Sequence, residues 1–566
     1  MLSAKLLLPA EKMRPGKIHG PKRPRNLEMR SIGLLIRFSC LFFACWVFIF
    51  STVGECASSR TLVASGSFGA VSTGHPEATA TAIKALERGG NAVDAAVAAA
   101  FVLGVVDPSN SGLGGDGFAL IRFPNGRIEA WDASIIPPKF SQKKGSFIGL
   151  PTEPALLLSF LRLHGTIPRP ELMAPAIRLA ARGFRISAYL EKILKLRIVN
   201  LKDPLAILRF APDGRPLKAG EILVQPELAD TLAQIARGSG ESFYRGKLAS
   251  ILAKDFRARS SSYTLADLSA CAPRAVIPQR LSIGPWTLIG TPPPSSAIVV
   301  MALVKALLNH GLSDLVSPDG LTKTIPLLEA VFNLKHRRLS ECMRNPRRFF
   351  AYMQSGEENQ TRTTPKAVAD HENTTHLVTW DRHGMIVSMT LTLGRHFGTG
   401  EICPLGFFYN NEMFNFSPLV ARYPKDYPSD SGPISAKAPL IVLKDDEPVL
   451  AIGGAGANRI ISNLAIILAR FMREKGNLAS FVHAPRFYAG NGREPIQEWS
   501  PGFPAISSNP TAIASLTHMP AGSDFFGLVS AVSRLGETLI AVGDYHRDGS
   551  AGAVRRDPDA LQTSNP

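Results

Sequence analysis

Residues 372–393 read ENTTHLVTWDRHGMIVSMTLTL, and this stretch decides the fold. Two runs rich in β-branched and apolar residues, THLVTW and MIVSMTLTL, flank Asp381-Arg382-His383-Gly384, a turn quartet. The pattern predicts a β-hairpin with alternating faces. Immediately upstream, GEENQTRTTPKAVADHEN (356–373) has almost no apolar residue and reads as an exposed linker. A Thr-Thr pair at a strand start is by itself only β-propensity. Its position at the end of an exposed linker marks this junction out.

Outward from the hairpin, residues 77–88 (EATATAIKALER) predict a helix stopped by Gly89-Gly90-Asn91. Residues 92–104 (AVDAAVAAAFVLG) predict a second, polar only at Asp94. Such a helix belongs buried against a sheet, because Ala lets backbones approach. The loop Gly112-Leu113-Gly114-Gly115-Asp116-Gly117 then leads into the strand FALIRF, and Asn125-Gly126 signals a hairpin into RIEAWDA. Helices dominate the reading of 152–350, with a Pro-rich turn at Pro292–Pro294. Beyond the central hairpin come the strands PLIVLKD and PVLAIG, a Gly-rich turn and the helix RIISNLAIILARFM. No internal repeat or heptad is present.

The 566 residues contain 45% hydrophobic and 19% charged residues, enough apolar material for a packed core and against a fibrous or disordered chain. Of the net charge of +17, much belongs to residues 1–37, which hold nine Lys/Arg against Glu11 and Glu28. The rest is diffuse, with no basic stripe interleaved with aromatics, so no nucleic-acid partner is expected. Residues 38–54 (FSCLFFACWVFIFSTVG) carry no charge over 17 residues and follow Arg30 and Arg37. They read as an export signal, either cleaved or kept as a membrane anchor, so residues 1–57 form a basic tail plus targeting segment. The body is then expected outside the cytosol, in the periplasm, extracellular, or anchored on the non-cytosolic side. Cys271, Cys342 and Cys403 are the only cysteines past this segment, too few and too far apart for a disulfide framework.

Gly112, Gly114 and Gly117 match GxGxxG, but a dinucleotide fingerprint follows a strand and opens a helix. Here the order is helix, loop, strand, and no cofactor is expected. Gly453-Gly454-Ala455-Gly456-Ala457-Asn458-Arg459 does join a strand to a helix. From the residues alone it is either a tight turn that lets the helix pack or a turn whose N–H groups stabilise an anion. His371, His376, His383 and His396 lie at no ligand spacing, so no metal site is expected.

The chain resembles the γ-glutamyltransferase (γ-glutamyltranspeptidase, glutathione hydrolase) family of N-terminal-nucleophile hydrolases over roughly residues 60–550. The carrying stretches are GGNAVDAAVAAAFVLGVVDPSNSGLGGDGFALI, MAPAIRLAARGF, the PPPSS run at 292–296, TTHLVTWDRHG, FGTGEICPLGFFYNNEM and HAPRF at 483–487. The resemblance implies an α+β fold, a four-layer αββα sandwich made as one inactive chain that cuts itself before a threonine. By matching position that residue is Thr374. The implied subunits are 58–373 and 374–566, paired as one intertwined domain. Cleavage would free an α-amino group with a reference pKa of about 8, a general base beside its own Oγ nucleophile. Thr392 matches the threonine that orients this amine. Gly456 and Ala457 match the glycine pair of the oxyanion hole, Ala457 being acceptable there only with an ordinary φ. The implied substrate is a small amide or peptide carrying a γ-glutamyl or related acyl group, which is hydrolysed or transferred.

The departures lie at the positions the family uses for substrate. Ser134 replaces the Arg that binds the α-carboxylate, and the Ser-Ser pair becomes Ser435-Ala436. Gly394 and Asn415 replace an Asn and an Asp that hold the α-ammonium, leaving Glu412. Asp116 replaces a Gly of the GGGG loop. Recognition of a free amino-acid head is expected to be largely dismantled, with no cation at the matching positions unless Arg122, Arg127 or Arg395 has moved in. An amidase for another acyl group and a non-catalytic binding homologue are the alternatives.

Overall fold

The computed structural model describes residues 60–557, apart from 139–145, 202, 239, 310–314, 316–317, 355–371, 417–426, 475, 491–492 and 499–516. The targeting segment and most of the polar linker lie outside the described residues. Among the described residues, no helix is long and apolar enough to cross a membrane.

The hairpin forms as the sequence pattern requires, Glu372–Asp381 against Ile386–Arg395, and it lies at the centre of a sheet. That sheet has seven described strands in the order Ser550–Ala553, Gly69–Thr73, Glu372–Asp381, Ile386–Arg395, Asp116–Arg122, Ile128–Ala133 and Arg274–Val276. A second sheet of seven runs Val63–Gly66, Thr538–Val542, Leu528–Leu535, Glu447–Ala455, Leu440–Lys444, Trp286–Gly290 and Gln279–Ile283. Neighbours within both sheets are antiparallel. Each sheet combines strands from before and after residue 373, so a cut there would leave two interleaved segments rather than two domains.

Alternation along the hairpin sorts its side chains into two layers. Val378, Trp380 and Ile386 face the second sheet in a core with Leu120, Ile441, Ala451 and Val532. Leu377, Val387, Met389 and Leu391 face the opposite way, into a core shared with helices Pro76–Glu87 and Ala92–Val106. Helices Ala297–Asn309 and Arg459–Arg473 cover the outer face of the second sheet. The layers are therefore α, β, β, α. Ala92–Val106 is buried along its length except at Gly104, and its one polar residue caps it. Asp94 Oδ2 accepts the Asn91 N–H at 2.9 Å while Asn91 Oδ1 accepts the Val93 and Asp94 N–H groups.

Besides the two-residue pair Phe184–Arg185 and Ile222–Leu223, the region read as helical contains strands of the main sheets that the pattern did not reveal: Arg274–Val276, Gln279–Ile283 and Trp286–Gly290. The last three are short, are broken by Pro278 and Gly284-Pro285, and lie at or near sheet edges, where half-exposure blurs the apolar signal.

One close approach fixes the spacing of the sheets beside the hairpin. The His376 ring is buried between them, with Nδ1 2.8 Å from Thr390 Oγ1 and Nε2 3.3 Å from Ser388 Oγ. Burial holds its pKa down at about 3, so the imidazole is neutral. A Cβ on Gly453 of the facing strand would lie 2.2 Å from that ring. Gly453→Ala is expected to force the ring or the sheets apart and to cost about 1–3 kcal/mol, read as a lowered urea midpoint against the parent chain. An unchanged midpoint would mean that the two sheets are not packed this closely.

Candidate active site

Thr374 lies within the first strand of the hairpin on the face toward the second sheet, 4% exposed. Thr392 is its cross-strand partner, and Asp116 is in turn the partner of Thr392. With strands about 4.8 Å apart, Thr374, Thr392 and Asp116 form a row across the sheet. The register slips between Asn373 and Thr374, leaving Leu393 as the extra residue opposite them. The Leu393 N–H is satisfied by the Asn110 carbonyl at 3.0 Å, from the loop that follows helix Ala92–Val106. The Thr392 hydroxyl donates to the Asn373 carbonyl and also accepts the Gly394 N–H at 2.8 Å. Gly394 has φ +87°, and a Cβ there would lie 2.3 Å from Asn411 Oδ1, so the loss of the family's Asn at this position is matched by the local backbone.

The Gly-rich turn reaches this row from the second sheet. The Gly456 N–H donates to Thr374 Oγ1 at 3.1 Å. Of the two readings open for the turn, its backbone N–H thus points at the threonine. Ala457 does not have the ordinary φ expected of it: φ is +58°, in the left-handed region. The backbone keeps the conformation a glycine would take, at a cost of order 1 kcal/mol, because the turn must bring Gly456 to Thr374 and then enter the helix.

Arg547, which sequence reasoning did not single out, grips both sides of the Asn373–Thr374 peptide bond. Its Nη2 donates to Asn373 Oδ1 at 2.7 Å and its Nη1 to the Thr374 carbonyl at 3.3 Å. Asp107 lies beside this guanidinium, its pKa pushed well up by burial and by Asp548 and pulled back by Arg547. No local pattern marks Arg547, since it enters from a C-terminal loop far away in sequence.

The residues expected to hold substrate are only partly brought together. Glu412 comes within reach of Gly394, its Oε1 lying 3.3 Å from where a Cβ at Gly394 would be. Glu412 Oε2 accepts from Asn415 Nδ2 at 2.9 Å. Ser435 Oγ accepts the Lys437 N–H at 3.2 Å in a turn, whereas Ala436 belongs to the apolar core behind the second sheet. Ser134 donates to Asp132 Oδ1 at 2.6 Å.

The matching positions themselves carry no cation, but two cations from other positions lie beside them. Lys437, 2% exposed at its side chain, pairs with the fully buried Asp116, and its Nζ is 3.8 Å from Glu412 Oε1. Burial, and then Glu412, push Asp116 up to about 7 against the opposing pull of Lys437. Glu153 adds a further buried carboxyl, raised well above the usual range by desolvation while accepting the Gly112 N–H at 3.3 Å. A second cation, Arg274, pairs with Asp132 and donates to Ser134 Oγ at 3.3 Å. Of the three arginines considered as replacements, Arg122 and Arg127 are engaged elsewhere, whereas Arg395 stays beside Gly394, its backbone N–H donating to Asn411 Oδ1 at 2.9 Å. Arg122 bonds the Gly384 carbonyl, Arg127 pairs with Glu129, and Arg395 stacks on Phe414. The available signal was a pair of opposite charges, Asp116 and Lys437, each alone in a small or apolar stretch. Arg274 lay on a strand that went unread.

This architecture is the N-terminal-nucleophile hydrolase fold. It matches the crystal structure of cephalosporin acylase from Bacillus halodurans with a TM-score of 0.75, covering 89% of this chain and 99% of that one at 23% identity. The γ-glutamyltranspeptidase family model matches residues 78–554, and the chain belongs to that family. Glutathione hydrolase 2 of Arabidopsis thaliana is 33% identical over 466 residues, 74% of this chain and 80% of that one. The capsule biosynthesis protein CapD proenzyme of Bacillus anthracis is 30% identical over 430 residues, covering 75% and 78%.

The buried Asp116–Lys437 pair should show strong coupling, since removing one partner strands the other charge. Asp116→Ala and Lys437→Met are each expected to cost about 3 kcal/mol, and the double variant less than either single. Urea unfolding of the four proteins gives the coupling, and additive losses would mean that the two side chains do not pair.

Proposed function

We propose that the chain is a self-processing amidase that acts through an acyl-enzyme on Thr374, transferring or hydrolysing a γ-glutamyl or related acyl group. The observation that carries this reading is the geometry around one peptide bond. The Asn373 carbonyl accepts from the Thr392 hydroxyl, and the adjacent Thr374 Oγ1 accepts from the Gly456 N–H. Attack of Thr374 Oγ on the Asn373 carbonyl carbon would place negative charge on the oxygen that Thr392 already serves as donor. The C–N bond then breaks, the Thr374 nitrogen takes up the proton given up by the hydroxyl and is freed as an amine, and the resulting ester is hydrolysed by water. Asn373 ends as a carboxylate. The proenzyme name of the relative from Bacillus anthracis supports a precursor that is processed.

In the processed protein the free amine of Thr374 takes the proton from its own hydroxyl, within the pH range where an α-amino group of pKa about 8 can act. Thr374 Oγ bonds to the carbonyl carbon of the substrate amide, and the leaving nitrogen departs with that proton. Water or an acceptor amine then releases the acyl group. On this reading the Gly456 N–H, which donates to Thr374 Oγ1 in the uncut chain, serves the oxyanion that develops on the substrate carbonyl oxygen. Ala457 extends the same turn, and Thr392 remains as an orienting hydroxyl.

On this reading a denaturing gel of the purified protein shows two fragments, divided before Thr374. Thr374→Ala is expected to leave one uncut chain, and Thr392→Ala to slow cutting at least tenfold, with Thr392→Ser restoring most of the rate. A wild-type chain that stays whole under conditions where it is folded would contradict the proposal.

A further inference from the structure

The surviving acceptor for a substrate ammonium is already supplied with one by the protein. Glu412 Oε2 is occupied by the Asn415 amide, and Glu412 Oε1 faces the Lys437 ammonium at 3.8 Å. Asp116 holds Lys437 in this place, and it stands two strands from Thr374 in the row that crosses the sheet. A free ammonium entering beside Glu412 would meet a tethered like charge in a desolvated site, where repulsion is weakly screened. The other half of an amino-acid head is treated differently. At Ser134, where the family has an arginine, Arg274 enters from the neighbouring strand Arg274–Val276. Its Nη2 is used by Asp132 and Ser134, while its Nη1 is buried and has no hydrogen-bond partner among the described residues. A buried guanidinium N–H without an acceptor calls for an anionic or carbonyl oxygen. The site has therefore internalised the ammonium and kept a cation for the carboxylate.

We propose that the acyl donor is a monoamide of a dicarboxylic acid, an acyl group that ends in a carboxylate and carries no α-ammonium, with Lys437 standing where that ammonium would be. This rests on the amidase reading above and narrows its substrate. Lys437 and Asp116 are specificity-determining residues in this account, and Arg274 is the donor to the terminal carboxylate.

Three p-nitroanilides separate the possibilities, because they share a chain and differ only at the head. The γ-glutamyl anilide has both charges, the glutaryl anilide only the carboxylate, and the butyryl anilide neither. With self-cleaved protein, kcat/KM for the glutaryl anilide is expected to exceed each of the others at least tenfold. Equal or better turnover of the γ-glutamyl anilide overturns the assignment of Lys437. Equal turnover of the butyryl anilide overturns the assignment of a carboxylate, and turnover of none by a fully self-cleaved protein overturns both. The Asp116→Ala/Lys437→Met double variant, checked for self-cleavage so that a folding failure is recognised, is expected to shift the glutaryl to γ-glutamyl ratio at least tenfold toward γ-glutamyl. An unchanged ratio overturns the proposal. A wild-type chain that never cuts itself overturns the amidase reading, and this inference with it.

Discussion

The two residues joined by the Asn373–Thr374 peptide bond are held by groups from three other parts of the chain, and the rest of the fold can be read as what brings them there. Thr392 arrives through the hairpin register, Gly456 through the turn of the facing sheet, and Arg547 from the C-terminal loop. For the first two to meet, the sheets must pack face to face at the hairpin, which is why His376 sits against a bare Gly453. The bulge at Leu393 serves the same end. It brings Gly394 to the Thr392 hydroxyl and gives the displaced N–H an acceptor in the loop that begins after the buried helix.

Where the pattern of residues is strong and local, the sequence was enough to place the structure. The hairpin, the all-apolar helix with its single capping Asp94, and the strand, Gly-rich turn and helix at 448–472 could all be read in this way. Short edge strands interrupted by Pro or Gly were not legible, and one of them carries Arg274. Ala457 shows another limit. Its side chain suggests an ordinary conformation, whereas the constraint from its neighbours holds it at positive φ. Arg547 and Lys437 escaped notice because their importance comes from what lies next to them in space. Lys437 is 321 residues from the aspartate it neutralises.

The positions proposed to meet substrate show why absent residues are an incomplete guide to the charge of a site. Position by position, Ser134, Gly394, Asn415 and Ala436 describe a head-group pocket stripped of charge. In three dimensions, charges have been exchanged rather than lost. Asp116 and Lys437 enter as a pair, which is the form in which buried charges are tolerated, since either alone would bear the full desolvation cost. Arg274 supplies a guanidinium at Ser134 from a different strand. On the proposed reading, the groups around Thr374 lie on the hairpin while those that would meet the acyl head lie on other strands and loops, which would allow the second set to change while the first is retained.

The most direct measurement of the central claim is mass spectrometry of the purified protein quenched during turnover of an amide substrate. The account expects the acyl mass on a peptide whose first residue is Thr374, with a free N-terminus before substrate is added. Acylation of any other residue, or the absence of a chain beginning at Thr374, would contradict it.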